Sequence, residues 1–296
     1  LFLLFAINKL PLDQEKRGII ALITVHELLT SQFSFQVNAS IAAIIVLTFI
    51  QIESRNEFWA SVLIAVGTLT KLYGIVGIAF IVFSKKKIRF VGFLVMSLMI
   101  FTCLPMIFFG VTYINQSYLD WWHVLVEKNL ENTLSTYQDI SVMGMIRRLT
   151  HYPQLSNWPI IVPGLIILGL PFLRKKEFYS LDFRLLTLAS ILLFTVLFSS
   201  GSESPTYIIA FLGVAIWWVT ERRPLTMFDW GMLIFALVLT SFSPSDLFPA
   251  WLRKNYVQPY ALKALPCFVI WCYISYHLIF TRFNNTLVAK KASSNP

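Results

Sequence analysis

Long apolar runs alternate with short polar interruptions along the whole chain, and no soluble stretch separates them. An apolar run of about 20 residues spans a bilayer as a helix, and shorter runs suit half-helices or re-entrant segments. On that scale residues 1–7 are the tail of a span, 18–30 is short, 36–51 is fuller, 58–83 is long, and 88–114 is of transmembrane length. A polar, aromatic stretch follows at 115–157, and further apolar segments cover 158–173, 185–199, 206–219, 228–240 and 265–280. The pattern predicts an all-α polytopic membrane protein of about nine to ten transmembrane helices. It forms a single integral membrane domain over 1–296, with one large outer loop at 115–157. The sequence opens Leu-Phe-Leu-Leu inside an apolar run without an initiator Met, so it reads as a fragment preceded by further spans.

Composition agrees. Hydrophobic residues make up 57% and charged residues 13%, against about 25% charged in soluble domains; mean hydropathy is +0.69. The net charge of +9 raises the question of nucleic acid, but the cations sit in short clusters between apolar segments, where the positive-inside rule puts them. No nucleic-acid partner is expected. The three cysteines, Cys103, Cys267 and Cys272, have neither metal-ligand spacing nor disulfide arithmetic, and no metal or cofactor is expected.

The same rule sets an orientation. Lys85–Lys87 with Arg89, Arg174–Lys176 with Arg184, Arg222 with Arg223, and the tail carrying Arg282, Lys290 and Lys291 read as cytoplasmic. Residues 115–157 and 201–205 then face outside, in a multi-pass plasma (inner) membrane protein with a cytoplasmic C-terminus. The loop 243–263 also falls outside although it carries Arg253, Lys254 and Lys263, which runs against the scheme. Parity raises a sharper issue. Loops 9–17 and 85–89 both read as cytoplasmic, yet three apolar segments lie between them. The third holds Lys71 at its centre, and a Lys in mid-span costs several kcal/mol. A re-entrant hairpin of two half-helices, with Lys71 at its apex, restores parity.

Polar groups inside spans mark sites or helix contacts. Glu27, Gln32, Gln36 and Asn38 cluster near the outer end of their segments and fit either helix–helix hydrogen bonding or a hydrophilic cavity. The Lys71 ammonium suits a lipid-linked phosphate or snorkels to the interface. Asp120-Trp121-Trp122-His123 fits an interfacial aromatic belt as well as a saccharide cleft. Arg147 and Arg148 grip a phosphate or diphosphate or meet anionic headgroups. Glu203 and Tyr207 bring a carboxylate and a phenol to the outer surface, where lone acids are commonly just solvated.

Four elements, in order, resemble glycosyltransferase family 87, the membrane mannosyltransferase-like enzymes of the GT-C superfamily. Glu27-Leu-Leu-Thr-Ser-Gln32-Phe-Ser-Phe-Gln36-Val-Asn38 is similar to a Gln-x-Asn segment opening a span. Gly67-Thr-Leu-Thr-Lys71-Leu-Tyr73, ahead of Lys85–Lys87, resembles a glycine–lysine–basic-loop element. Gln138-x-x-Ser141-x-x-Gly144 with Arg147 resembles an Asn-Gln-Ser-x-x-Gly motif, with Tyr137 where Asn is usual. Glu203-Ser-Pro-Thr-Tyr207 resembles a late-loop element, without the His often found there. The resemblance covers roughly residues 20–220. It implies a hexosyltransferase that moves a sugar, mannose or a similar hexose, from a polyprenyl-phosphate donor to a lipid or glycan acceptor, with inversion, on the extracytoplasmic face. The implied substrate-binding residues are Glu27, Gln36, Asn38, Lys71, Gln138, Ser141, Arg147, Glu203 and Tyr207. The essential outer-loop Asp of the family falls before the first residue of this chain, so the catalytic base is unassigned.

Two other classes compete. A transporter or flippase of lipid-linked sugars also uses intramembrane Glu27 and Lys71 as pathway groups, but no internal repeat is visible. A structural membrane subunit predicts no order among the polar motifs, which are ordered.

Overall fold

The computed structural model describes residues 1–132, 135, 137–220 and 224–283, and everything described is helix or connection, without a strand. Arg222, Arg223, Lys290 and Lys291 of the orientation scheme lie outside the described residues. In chain order the helices are α1 (Phe2–Asn8), α2 (Gln14–Phe33), α3 (Asn38–Glu53) and α4 (Glu57–Thr70), continued by a 3₁₀ segment Leu72–Phe83. Then come α5 (Lys87–Phe109), α6 (Val111–Asn132), α7 (Val142–Leu149), α8 (Trp158–Gly169), α9 (Leu181–Leu197) and α10 (Tyr207–Thr220). The series ends with α11 (Met227–Phe235), a short α12 (Ala250–Leu252) and α13 (Ala264–Phe280).

The core sits around α10, every residue of which is buried. A helix apolar all round has no solvent face to present and is driven to the centre. Helices α2, α3, α9 and α13 pack about it. Helix α2 is longer than the apolar run 18–30 that predicts it, because the polar residues before that run carry helix signals. Asp13 caps it by accepting from Lys16 N–H at 2.8 Å, and Glu15 complements the positive end in the first turn.

The long segment 58–83 folds back on itself at Lys71. The backbone there is extended, with φ −155° and ψ 130°. Beyond it the chain returns antiparallel to α4, so that Gly74 lies on Gly67 and Gly77 lies on Ile64. A Cβ on Gly74 would stand 2.2 Å from the Gly67 carbonyl carbon. The predicted helical hairpin with Lys71 at its apex is therefore present, and only glycine permits so close a backbone approach.

Because the hairpin doubles back, the basic loops 85–89 and 174–184 gather at one end of the bundle. Arg184 bonds Glu53 at 2.8 Å at the close of α3. Ser84 donates to Glu57 at 3.2 Å, Phe83 meets Phe178 edge-on at 5.1 Å, and Arg174 pairs with Glu177 at 3.1 Å. The openings of α3, α10 and α13 point to the other end.

The stretch 115–157 is not an open loop: α6 occupies its first part, set off from α5 by Gly110 at φ +82° and tied back by Tyr118 Oη donating to Thr102 O at 2.7 Å. Among the described residues α5 is the one helix of 18 or more residues that is apolar enough to cross a membrane, and the other apolar helices run 10–17 residues. Breaks such as the one at Lys71 divide apolar runs that are continuous in sequence.

Candidate active site

Five of the expected residues meet at the end opposite the basic loops. Asn38 opens α3 and is fully buried; its Oδ1 accepts from Lys71 Nζ at 2.7 Å. The Asn38 amide donates to Gln36 Oε1 at 2.6 Å, and Gln36 Nε2 donates to Glu203 Oε2 at 2.8 Å. The other Glu203 oxygen accepts from Gln138 Nε2 at 3.4 Å. One continuous relay thus joins Lys71, Asn38, Gln36, Glu203 and Gln138, drawn from the hairpin apex, the α2–α3 corner, the segment before α7 and the turn before α10. The short linker between α2 and α3 makes this possible: Phe35 takes φ +52° and turns Gln36 and Asn38 toward the same side.

Lys71 is half-buried, and no carboxylate pairs with it directly among the described residues. It stands 5.1 Å from the Tyr73 ring centroid, and Tyr73 Oη accepts from Ser199 Oγ at 3.2 Å. The groups in direct contact with the ammonium are neutral, and the nearest carboxylate acting on it is Glu203, further along the relay.

Ser141, Arg147 and Tyr207 lie outside this relay. Ser141 caps α7, accepting from Gly144 N–H at 3.0 Å and donating to Asp139 Oδ1 at 2.7 Å. A Cβ at Gly144 would collide with Asp139 O at 1.8 Å, so glycine is required there. Arg147, 3% exposed, forms an ion pair with buried Asp139 and donates to Leu155 O at 3.0 Å and Asn157 Oδ1 at 2.6 Å. Burial pushes the Asp139 carboxyl above its usual range, against the pull of Arg147 and Ser141. These contacts hold the Arg147 guanidinium inside the protein, with its Nε left without a hydrogen-bond partner among the described residues. Tyr207 Oη donates to Ile140 O at 2.8 Å and braces the same segment. Arg148 bridges Ser135 O and Gln138 O, both at 2.8 Å.

Glu27 is adjacent but separate. It is fully buried and pairs with Lys263 at 2.9 Å. Lys263 Nζ also donates to Ser204 Oγ at 2.9 Å and lies 4.9 Å over the Tyr207 ring. Lys263 was absent from the expected site residues. Its signal was available in the sequence: a Lys just before an apolar run, on the side where the charge rule disfavours cations. Arg253, passed over in the same way, lines with Lys263, Glu203 and Tyr137 a cavity of about 260 Å³. Among the described residues no three His, Cys, Asp or Glu side chains gather as a metal site.

The family model for glycosyltransferase family 87 matches residues 6–241. The chain belongs to glycosyltransferase family 87. The matched segment contains every member of the relay, so a glycosyltransferase assignment and a polar cluster fall on the same part of the chain. No curated protein and no solved structure matches it.

Proposed function

We propose that this family 87 glycosyltransferase is an integral membrane enzyme that moves a hexose, with mannose the first candidate, from a polyprenyl-phosphate donor to a lipid or glycan acceptor on the extracytoplasmic face. The observation that carries the reading is the relay ending on Lys71. Displacement at the sugar carbon releases a lipid phosphate, and a preorganised cation is what stabilises that developing charge. Lys71 supplies a cation at a helix break, and Asn38 and Gln36 fix its position relative to Glu203. Inversion also needs a base for the acceptor hydroxyl; no residue of this chain is assigned that role.

Two features support a bilayer setting. Helix α5 leaves Val91, Val95, Met99, Ile100, Ile107 and Phe108 exposed, and a large apolar face of this kind belongs against lipid or a partner. The basic loops 85–89 and 174–184 lie at the end away from the relay, as they do when the site faces outward, whereas Arg253 and Lys263 lie on the relay side.

The test is transfer by the purified full-length protein in lipid nanodiscs, supplied with radiolabelled polyprenyl-phosphate mannose and a membrane lipid extract. Lys71→Ala is expected to lower the rate on the order of 10²–10³-fold, as loss of one charge-stabilising donor does, with elution profile and melting unchanged. Normal transfer by that variant removes Lys71 from the mechanism.

A further inference from the structure

We infer that the 260 Å³ cavity lined by Glu203 but not by Lys71 is the pocket for the acceptor sugar and takes a single neutral pyranose ring. The inference rests on the donor reading above for its direction, though not for the existence of the pocket.

Size and lining set the ligand class. The cavity falls below the range of about 300–1,000 Å³ typical of drug-sized sites, which suits one ring rather than an extended chain. Its polar groups are Glu203, Ser204, Ser243, Arg253, Gln258 and Lys263, set among Pro205, Pro244 and Val257, with the largely exposed Tyr137 also in the lining. Hydroxyl-bearing rings need this mixture, since their O–H groups seek donors and acceptors while their C–H faces lie on apolar and aromatic surface.

A second phosphate is a poor fit. The Lys263 ammonium is already bonded to Glu27 and Ser204. Arg253 donates to Ser245 O at 2.7 Å and Pro244 O at 3.3 Å, with Asp246 3.9 Å away. The Glu203 carboxylate in the same wall repels an anion. A neutral ligand is what remains.

Position sets the role. Gln36, Asn38 and Lys71 are absent from the cavity lining, whereas Glu203 belongs to both the relay and the cavity. In an inverting transfer the nucleophile arrives on the ring face opposite the departing group. With the phosphate on the Lys71 side, the acceptor hydroxyl enters from the cavity. Arg148 fastens the two walls, donating to Gln138 O at 2.8 Å and Gln258 O at 3.3 Å. The wall from Ser243 to Lys263 lies beyond the matched segment 6–241, so the family match does not account for it.

The experiment is saturation-transfer NMR on the full chain in nanodiscs, with methyl α-D-mannopyranoside as the probe. Retention of radiolabelled polyprenyl phosphate is measured in parallel. Wild-type protein is expected to show saturable hexoside binding. Ser243→Trp, which fills the cavity, and the milder Tyr137→Ala are each expected to weaken it at least tenfold while polyprenyl-phosphate retention holds. Hexoside binding unchanged in both variants overturns the pocket, as does a wild type that binds none. Hexoside binding that persists in a protein unable to transfer from the polyprenyl donor keeps the pocket and sinks the donor reading instead.

Discussion

Removing the charge from one partner of the Glu27–Lys263 pair should destabilise the protein far more than removing both. Glu27 is fully buried, Lys263 is 4% exposed, and their atoms meet at 2.9 Å. Glu27 Oε2 has no hydrogen-bond partner among the described residues, so the carboxylate leans on Lys263 alone. At an effective dielectric of about 20, charges that close attract by roughly 6 kcal/mol. Desolvation of the two ions takes back most of that gain, so the pair contributes little net stability. Lys263→Met abandons a buried carboxylate and is expected to cost about 3–5 kcal/mol. Glu27→Leu strands the ammonium and should cost a similar amount. The double variant leaves two apolar side chains of comparable volume and should return to within about 1 kcal/mol of wild type. For a chain of this size, roughly 2–4 °C in Tm accompanies each kcal/mol, which puts the single variants roughly 6–20 °C below wild type. Thermal unfolding of the four proteins in one detergent reads the cycle. Single losses that simply add in the double variant would refute the claim that the two charges depend on each other.

Two further outcomes check the frame that carries the site. Gly74→Ala pushes a methyl into the Gly67 backbone, which no side-chain rotation relieves; it should lower stability by about 1–3 kcal/mol and reduce transfer by separating Lys71 from Asn38. Gly92→Ala, with nothing within 4 Å of the added carbon, should be neutral or stabilising by up to about 1 kcal/mol, and equal losses in both melts would show that the hairpin contact does not matter. In a cysteine-free background, Lys86→Cys and Tyr137→Cys should react with a membrane-impermeant maleimide from opposite sides of sealed vesicles; labelling of both from one side would end the proposed orientation.

The hairpin and the relay differ in how far the sequence reveals them. Lys71 in the middle of a long apolar run is a conflict that sequence alone exposes, because a buried ammonium and a parity count both demand a break. The residues of the relay were also individually legible, since a polar side chain in an apolar segment needs a reason. Their partners were not. Gln36 and Glu203 are 167 positions apart and meet at 2.8 Å, and no spacing rule reaches across that distance. The Trp-bearing stretch 115–132 reads in sequence as part of a loop, and it lies in α6 because polar and aromatic side chains do not prevent backbone hydrogen bonding within a helix.

What the sequence by itself determined is the helical, apolar character of the chain, the break at Lys71 and the family, because these depend on local composition and order. Tertiary structure alone decided which cations are available. Lys71 makes direct contact with neutral partners, Arg147 pairs with Asp139, and Lys263 is drawn inward to Glu27. All three read alike as basic residues in sequence. Their different fates follow from whether a carboxylate lies within a few ångströms, and only folding brings those groups together.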